Sequence, residues 1–135
     1  LIPGGRGLLH TITSSCAPHV PSDPWGDKYI FPGGRLPRLS EIASAMDENN
    51  FMIGHIENLR LHYAETLIPW KENFLRNKER IKALGHQYDE RFLRMWNYYL
   101  QGSEASFRYD HLHLHQVLFC KGRDWTLPKI LEFGE

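Results

Sequence analysis

Three short apolar segments constrain the fold of this 135-residue chain more than any other feature of its sequence. They span residues 7–13, 51–59 and 110–119, and their apolar and β-branched residues are typical of strands. The connections between them are far too long for hairpin turns, and they carry helical periodicity. The pattern predicts an α/β layer, in which helices flank a sheet of three strands.

Helical periodicity is strongest in two stretches. Over 63–84 and 88–105, apolar residues recur at steps of three, four and seven, which predicts two amphipathic helices. Pro69 lies inside the first stretch and is expected to kink that helix or delay its start. A shorter helix is predicted over 41–49, with Ser40 as its N-terminal cap.

The remaining segments are irregular by sequence. Residues 14–37 contain most of the eight prolines and are predicted to form a loop. We expect one folded portion, 1–122, followed by a loose C-terminal tail, 123–135. The chain opens in a turn sequence without an initiator methionine, and the strand at 7–13 is expected to have an unpaired edge. Both features predict a piece of a longer fold.

Composition excludes several classes of function. Sixteen basic and sixteen acidic residues cancel, so the chain has no long-range field that would attract nucleic acid. Cys16 and Cys120 are far apart and indicate no disulfide framework, which is typical of a reducing compartment. No apolar run reaches the ~20 residues that span a bilayer, and no secretory signal is recognisable. The sequence therefore predicts a cytoplasmic location.

Five groups of residues, in a fixed order and spacing, resemble one known family. They are Pro3-Gly4-Gly5-Arg6-x-Leu8-Leu9-His10-Thr11-Ile12, Lys28-Tyr29-Ile30-Phe31-Pro32-Gly33-Gly34-x-Leu36-Pro37, Glu57-Asn58-x-x-x-His62-Tyr63-x-x-Thr66-Leu67, Phe92-x-x-x-Trp96-x-Tyr98-Tyr99-Leu100, and Phe107-Arg108 with Gln116-Val117-x-Phe119. Together they resemble the cyclopropane-fatty-acyl-phospholipid synthases and the mycolic acid cyclopropane synthases, from about Leu1 to Gly122.

The resemblance implies a class I methyltransferase fold, which is Rossmann-like and has a seven-stranded sheet with its last strand antiparallel. This chain would be the C-terminal half of that fold, with 110–119 antiparallel between 7–13 and 51–59. The glycine-rich loop that holds S-adenosylmethionine belongs to the first strand of such a fold and has no counterpart in this sequence. A complementary N-terminal half is therefore an expected partner.

The implied activity is S-adenosylmethionine-dependent transfer of a methylene group to the double bond of unsaturated phospholipid acyl chains, with peripheral membrane contact. Family members are thought to hold bicarbonate as a general base. By resemblance, His10 and Tyr63 would hydrogen-bond that ion, and the backbone of Ile12 would add a contact. We expect His10 and Tyr63 to approach each other at the C-terminal edge of the sheet. Without the motifs, both side chains would be interpreted as ordinary core residues.

Other residues allow two interpretations. The histidines of 111–115 have metal-ligand spacing, but we interpret them as one polar face of a strand and predict no metal. Gly54 stands where the family commonly has an acidic residue. Helix aromatics form either the core or the wall of an acyl channel: Trp70, Phe74, Phe92, Trp96, Tyr98 and Tyr99. A basic run fits a solvated helix face better than a lipid-headgroup site: Lys71, Arg76, Lys78, Arg80 and Lys82.

Two alternatives to a functional synthase stay open. The chain would fit a non-catalytic remnant or interaction module that docks on an intact synthase. It would also fit a relative that methylates a sphingolipid or an amine. The bicarbonate ligands favour cyclopropanation over N-methylation, because a nitrogen nucleophile needs no deprotonation of a carbocation-like centre.

Overall fold

The computed structural model describes residues 1–16 and 23–122, and within them it has three strands and five helices. Their order is β1 (Arg6–Ser14), α1 (Pro24–Tyr29), α2 (Leu39–Glu48), β2 (Phe51–Asn58), α3 (Arg60–Arg76), α4 (Lys78–Lys82), α5 (Glu90–Tyr109) and β3 (Leu112–Lys121). The predicted α/β class with three strands is confirmed. The predicted tail, 123–135, lies outside the described residues.

The sheet has the order β1-β3-β2, and β3 is antiparallel to both of its neighbours. This confirms the predicted central position and antiparallel direction of the last strand. Because β1 and β2 both run against β3, they are parallel to each other and need long crossover connections.

The two faces of the sheet are covered by different helices. Residues directly opposite each other in an antiparallel pair share a face, and the register pairs His10 with Gln116 and Ile12 with Leu114. Leu114 belongs to the core that α3 and α5 build, so these four side chains share what we call the hairpin face. α2 packs on the opposite face, where Met46 is buried.

The core lies between the α3/α5 hairpin and β3. Its buried members come from α3, α5 and β3: Ala64, Leu67, Phe74, Leu93, Leu100, Phe107 and Leu114. The three members from α5 are spaced seven residues apart and therefore lie on one side of that helix. Burial of each large side chain contributes about 1.5–3 kcal/mol, so this stripe packs α5 mainly against α3 and also against β3. No helix in the described part of the chain is long and apolar enough to cross a bilayer.

The loop predicted over 14–37 contains a helix, α1, so that expectation is wrong for Pro24–Tyr29. The carboxylate of Asp23 accepts hydrogen bonds from the backbone N–H groups of Trp25 (3.1 Å) and Gly26 (3.0 Å). A proline at the first helical position loses no hydrogen bond there, and its fixed φ favours a helix. The proline that indicated a loop therefore starts a helix.

The N-terminus of α2 also differs from its prediction. The helix begins at Leu39, and Ser40 lies in its first turn instead of capping it. The backbone N–H of Arg38 donates to the Glu41 carboxylate at 2.7 Å, and the Arg35 guanidinium donates at 2.8 Å. The backbone N–H of Arg38, followed by the Arg35 side chain, lowers the pKa of the Glu41 carboxyl.

The predicted helix over 63–84 is divided into α3 and α4 at Asn77. α3 begins at Arg60, so Pro69 does not delay its start. The side-chain amide of Asn77 donates to the carbonyl of Asn73 at 2.7 Å. The same carbonyl also accepts from the backbone N–H of Asn77 at 3.1 Å, so both donors of Asn77 close the C-terminus of α3.

Candidate active site on the hairpin face

His10 lies on the hairpin face of β1, two residues before Ile12. Ile12 is half-buried and packs against the core, whereas His10 is exposed. The Nδ1 atom of His10 is 3.1 Å from the side-chain amide nitrogen of Gln116, its register partner on β3. His10 is therefore not the core histidine bonded to backbone that its sequence alone favoured.

The Gln116 contact determines how the His10 imidazole is used. An amide NH₂ group only donates, so Nδ1 accepts and the ring carries its proton on Nε2. That leaves the Nε2–H of His10 available as a donor to an anion. Glu57 pairs with Gln116 from the other side, which extends this polar row across all three strands.

Tyr63 lies in the first turn of α3, whose start is fixed to the sheet. The backbone N–H of Leu59 donates to the carbonyl of Leu114 at 2.7 Å, and the Asn58 side chain accepts from the N–H of Arg60 at 3.0 Å. These bonds hold the end of β2 and the beginning of α3 beside β3. The position of Tyr63 follows from that attachment.

The Tyr63 ring lies in an apolar environment. Its centroid is 4.8 Å from that of Phe107 and 6.1 Å from that of Trp70. Burial raises the pKa of the phenol, and the neighbouring Tyr99 raises it further by a smaller amount. Tyr63 therefore keeps its hydroxyl proton at neutral pH and can donate a hydrogen bond.

The structure brings Ile12 and Tyr63 to the same core cluster, and it places His10 on the face of β1 that carries Ile12. The side-chain hydrogen bond described for His10 is with Gln116, and the ring contacts described for Tyr63 are with other aromatics. The predicted direct approach of His10 to Tyr63 stays a prediction.

The histidines of β3 lie on the face opposite His10. His113 Nδ1 accepts from the side-chain amide of Asn58 at 2.9 Å, and His115 Nδ1 lies 2.8 Å from the hydroxyl of Thr13. Burial lowers the pKa of both imidazoles. His111 precedes the strand, and no group of three metal-ligating side chains occurs within 1–16 and 23–122.

Gly54 marks an irregularity in β2. The register of β2 against β3 shifts between Ile53 and His55, which leaves residue 54 as the extra residue of a bulge. Glycine is frequent at such positions because it has no side chain to pack and tolerates the local bend. The backbone thus explains a residue for which the sequence offered no physical reason.

The helix aromatics divide into two groups. Phe74 is buried, and three others are half-buried against the core: Phe92, Trp96 and Tyr99. Trp70 and Tyr98 are 50% and 62% exposed. The core interpretation therefore holds for the first group, while the two exposed rings are surface residues of the described structure.

Sequence reasoning missed two features. Gln116 was recognised only as part of a motif, and its partner lies 106 residues away, so no local signal identified the contact. The second is a cavity of about 380 Å³ between α1 and α5. Its lining combines residues whose proximity depends on the unpredicted helix α1: Trp25, Tyr29, Arg91, Arg94, Met95 and Tyr98.

Comparison with known proteins supplies the family. Residues 1–117 match the family model of mycolic acid cyclopropane synthetase. The cyclopropane-fatty-acyl-phospholipid synthase of Escherichia coli K12 is 40% identical over 122 residues, which cover 90% of this chain and 31% of that protein. A probable fatty acid methyltransferase of Pseudomonas putida is 38% identical over 125 residues, which cover 87% of this chain and 30% of that protein.

Solved structures agree with the sequence matches. The cyclopropane synthase MmaA2 of Mycobacterium tuberculosis superimposes with a TM-score of 0.78 at 26% identity, over 90% of this chain and 46% of that one. The mycolic acid cyclopropane synthase CmaA1, in complex with SAH and CTAB, gives a TM-score of 0.76 at 30% identity, over 87% and 45%. The chain spans about 30% of the length of the curated relatives, and the matches cover their C-terminal part. With its class I methyltransferase architecture, the chain belongs to the mycolic acid cyclopropane synthetase family of S-adenosylmethionine-dependent lipid methyltransferases.

Proposed function

We propose that these residues form the C-terminal part of an enzyme that transfers a methylene group from S-adenosylmethionine to the double bond of unsaturated phospholipid acyl chains. The observation that carries the proposal is the arrangement of the hairpin face. It combines an exposed imidazole oriented by Gln116, the strand position of Ile12, and a protonated phenol at the start of α3.

The donor chemistry of this face fits a small oxyanion such as bicarbonate. The Nε2–H of His10 and the hydroxyl of Tyr63 are both neutral donors, and the backbone of Ile12 adds a third contact. When bound, bicarbonate supplies the base that removes a proton from the newly added methyl group, so that the ring closes. The apolar side chains around Tyr63 lower the local dielectric and would strengthen the hydrogen bond that its hydroxyl donates.

The cofactor and the lipid bring further partners into the proposal. S-adenosylmethionine would bind to the segment that precedes the matched region in the relatives, so a complementary N-terminal half completes the enzyme. The substrate is an acyl chain of a membrane phospholipid, and we propose peripheral contact with the membrane at the working site.

A chimera tests this function. The C-terminal segment of the Escherichia coli K12 synthase, which is 40% identical, is replaced by this chain in a strain without its own synthase. We expect cyclopropane fatty acids in the membrane lipids, measured by gas chromatography with mass spectrometry.

His10→Ala should lower turnover about 100-fold or more, which is the usual effect of losing proton-transfer catalysis, with little change in calorimetric affinity for S-adenosylmethionine. Equal losses of turnover and cofactor affinity would assign His10 to structure.

Gln116 is a positioning residue in this proposal, and it has its own readout. Gln116→Leu removes the donor to Nδ1 and should lower turnover about 10-fold, as loss of an outer-shell partner commonly does. In Gln116→Glu the carboxylate only accepts, so it would favour the tautomer that carries the proton on Nδ1 and leave Nε2 without a donor, which should also lower turnover. The matched control is Gln101→Leu on the exposed side of α5. Parental turnover in both Gln116 variants would contradict the assigned role.

The same chimera separates the alternatives. Sphingolipid C9-methyltransferase A of Emericella nidulans is 34% identical over 106 residues. Methyl-branched products without rings would therefore favour a methyltransferase of that kind over a cyclopropane synthase. A chimera without any methylation, combined with tight binding of this chain to an intact synthase, would instead support an interaction module.

A further inference from the structure

The cavity between α1 and α5 lies apart from the candidate active site. Four of its lining residues, at positions 91, 94, 95 and 98 of α5, follow helical spacing and share one side of that helix. At 100° per residue, the buried stripe of Leu93, Leu100 and Phe107 lies on the opposite side. The cavity therefore faces away from the core, and α1 forms its second wall.

The cavity carries positive charge without a compensating acid in its lining. Neither Arg91 nor Arg94 forms a salt bridge within the described ranges, whereas Arg35 and Arg108 pair with carboxylates at 2.8 and 2.6 Å. The nearby carboxylate of Glu90 forms its salt bridge to a lysine of α4 and interacts with Arg94 only at longer range.

A third cation lies beside Tyr29, one of the residues that line the cavity. The ammonium group of Lys28 lies 5.1 Å from the ring centroid of Tyr29. The pKa of the Tyr29 hydroxyl is lowered, first by its hydrogen bond to Lys28 and by the charge of that lysine, and to a smaller extent by Arg91. The cavity is thus suited to an anion with several acceptor oxygens.

We propose that this cavity binds a phosphate ester presented by a lipid headgroup. Arg91 and Arg94 are three residues apart on α5 and both line the cavity, and guanidinium groups are well suited to bind phosphate oxygens. Trp25 and Tyr98, whose ring centroids are 4.7 Å apart, add the amphipathic rings that are enriched at membrane interfaces. The volume of about 380 Å³ fits a headgroup-sized ligand. The inference rests on the proposed phospholipid substrate and adds to it the surface that holds the headgroup.

Flotation of the intact protein that carries these residues tests the inference. The vesicles are phosphatidylcholine with and without phosphatidylglycerol. Because each basic residue at an anionic surface contributes substantially to binding, Arg91→Gln/Arg94→Gln should weaken binding to the anionic vesicles about 10-fold or more. Arg76→Gln/Arg80→Gln removes the same charge from α3 and α4 and should change binding less than about 3-fold. Equal weakening by both pairs would reduce the effect to general charge attraction and overturn the proposal.

A second measurement does not depend on the arginine variants. Brominated acyl chains quench tryptophans close to the bilayer, so Trp25→Phe should remove most of the quenching in anionic vesicles, while Trp70→Phe should not. Quenching that persists in Trp25→Phe would contradict the site. Binding of inorganic phosphate is measured at constant ionic strength in the same variants. If Arg91→Gln/Arg94→Gln weakens phosphate binding but leaves vesicle binding unchanged, the lipid assignment is overturned.

Turnover on the same preparations keeps the two proposals separate. Arginine-dependent vesicle binding without methylation would contradict only the proposed function. If the protein methylates lipids but its vesicle binding is unchanged by the substitutions at Arg91 and Arg94, only this inference would be contradicted.

Discussion

His115 gives β3 a pH dependence that is unrelated to catalysis. It is 6% exposed and hydrogen-bonded to Thr13, and burial, with a smaller effect of His113, lowers the pKa of its imidazole below the ordinary value of about 6.5. The unfolded chain therefore binds the proton more readily than the folded protein does. The contribution of a neutral His115 to the free energy of unfolding is fully present above about pH 6.5. It is lost progressively as the pH falls from there toward the lowered pKa.

Thermal denaturation of the intact protein between pH 7.5 and 5.5 checks this linkage. His115→Gln should reduce the decrease of Tm toward acid pH, because the variant has no imidazole to protonate at this position. His62→Gln, at an exposed position of α3, is the control and should keep the parental slope. The readout is the slope of Tm against pH, so a general loss of stability in the variant does not obscure it. A parental slope in His115→Gln would contradict the assignment.

Single residues were predictable where a motif identified them, and unpredictable where a partner is distant in sequence. His10, Ile12 and Tyr63 came from their motifs, and their roles stay predictions. Gln116 acquires a role only through the β1–β3 register, which no local pattern specifies. Arg38 precedes α2 although it is not a usual capping residue, because the Glu41 carboxylate reaches back to its backbone N–H.

At the scale of elements, Gly7 allows the close packing of β1 on β3. A Cβ atom at Gly7 would lie 2.5 Å from the ring of Phe119, its cross-strand partner. Phe119 also contacts Phe51 of β2, with ring centroids 5.2 Å apart, which limits its freedom to move. We expect Gly7→Ala to lower the free energy of unfolding by about 1–3 kcal/mol, the usual cost of overpacking.

Denaturant unfolding of the intact protein, of Gly7→Ala and of two further variants checks the Gly7 prediction. Gly102→Ala is the matched control, because a Cβ at this position of α5 meets nothing within 4 Å; it should stabilise by about 0.5–1 kcal/mol through helix propensity. Adding Phe119→Leu to Gly7→Ala should recover part of the loss. If Gly7→Ala and Gly102→Ala changed stability equally, the ring contact would not be the cause.

Element types followed from periodicity, whereas element boundaries depended on local hydrogen bonds. The three strands and the long helices lie where apolar spacing predicted them. α1 was missed because a proline-rich segment was interpreted as a loop, although Asp23 and the following proline start a helix. The division at Asn77 was missed because apolar spacing continues across it, with Ile81 still packed against the core.

At the scale of the whole molecule, the strand order came from the family resemblance. Periodicity alone predicts three strands but not which of them is central. β3 is the last strand in the sequence, yet it lies between β1 and β2, which both precede it by many residues. Contacts of such long sequence separation are fixed by packing, with Leu114 and Val117 buried on opposite faces of β3.

The isolated 135-residue chain exposes a strand edge and apolar surface. Within the described residues, β1 pairs with β3 alone, and Ile2 and Leu8 are 77% and 58% exposed. An apolar cavity of about 310 Å³ also opens beside α2, between Met46 and Phe119. A free strand edge beside exposed apolar surface favours association with another chain. We therefore expect the isolated chain to aggregate or to bind a hydrophobic dye, without micromolar affinity for S-adenosylmethionine in calorimetric titration. Co-expression with the N-terminal segment of the Escherichia coli K12 synthase should yield a soluble complex that binds the cofactor. If the isolated chain is monomeric, does not bind the dye and binds S-adenosylmethionine with micromolar affinity, this domain is self-sufficient.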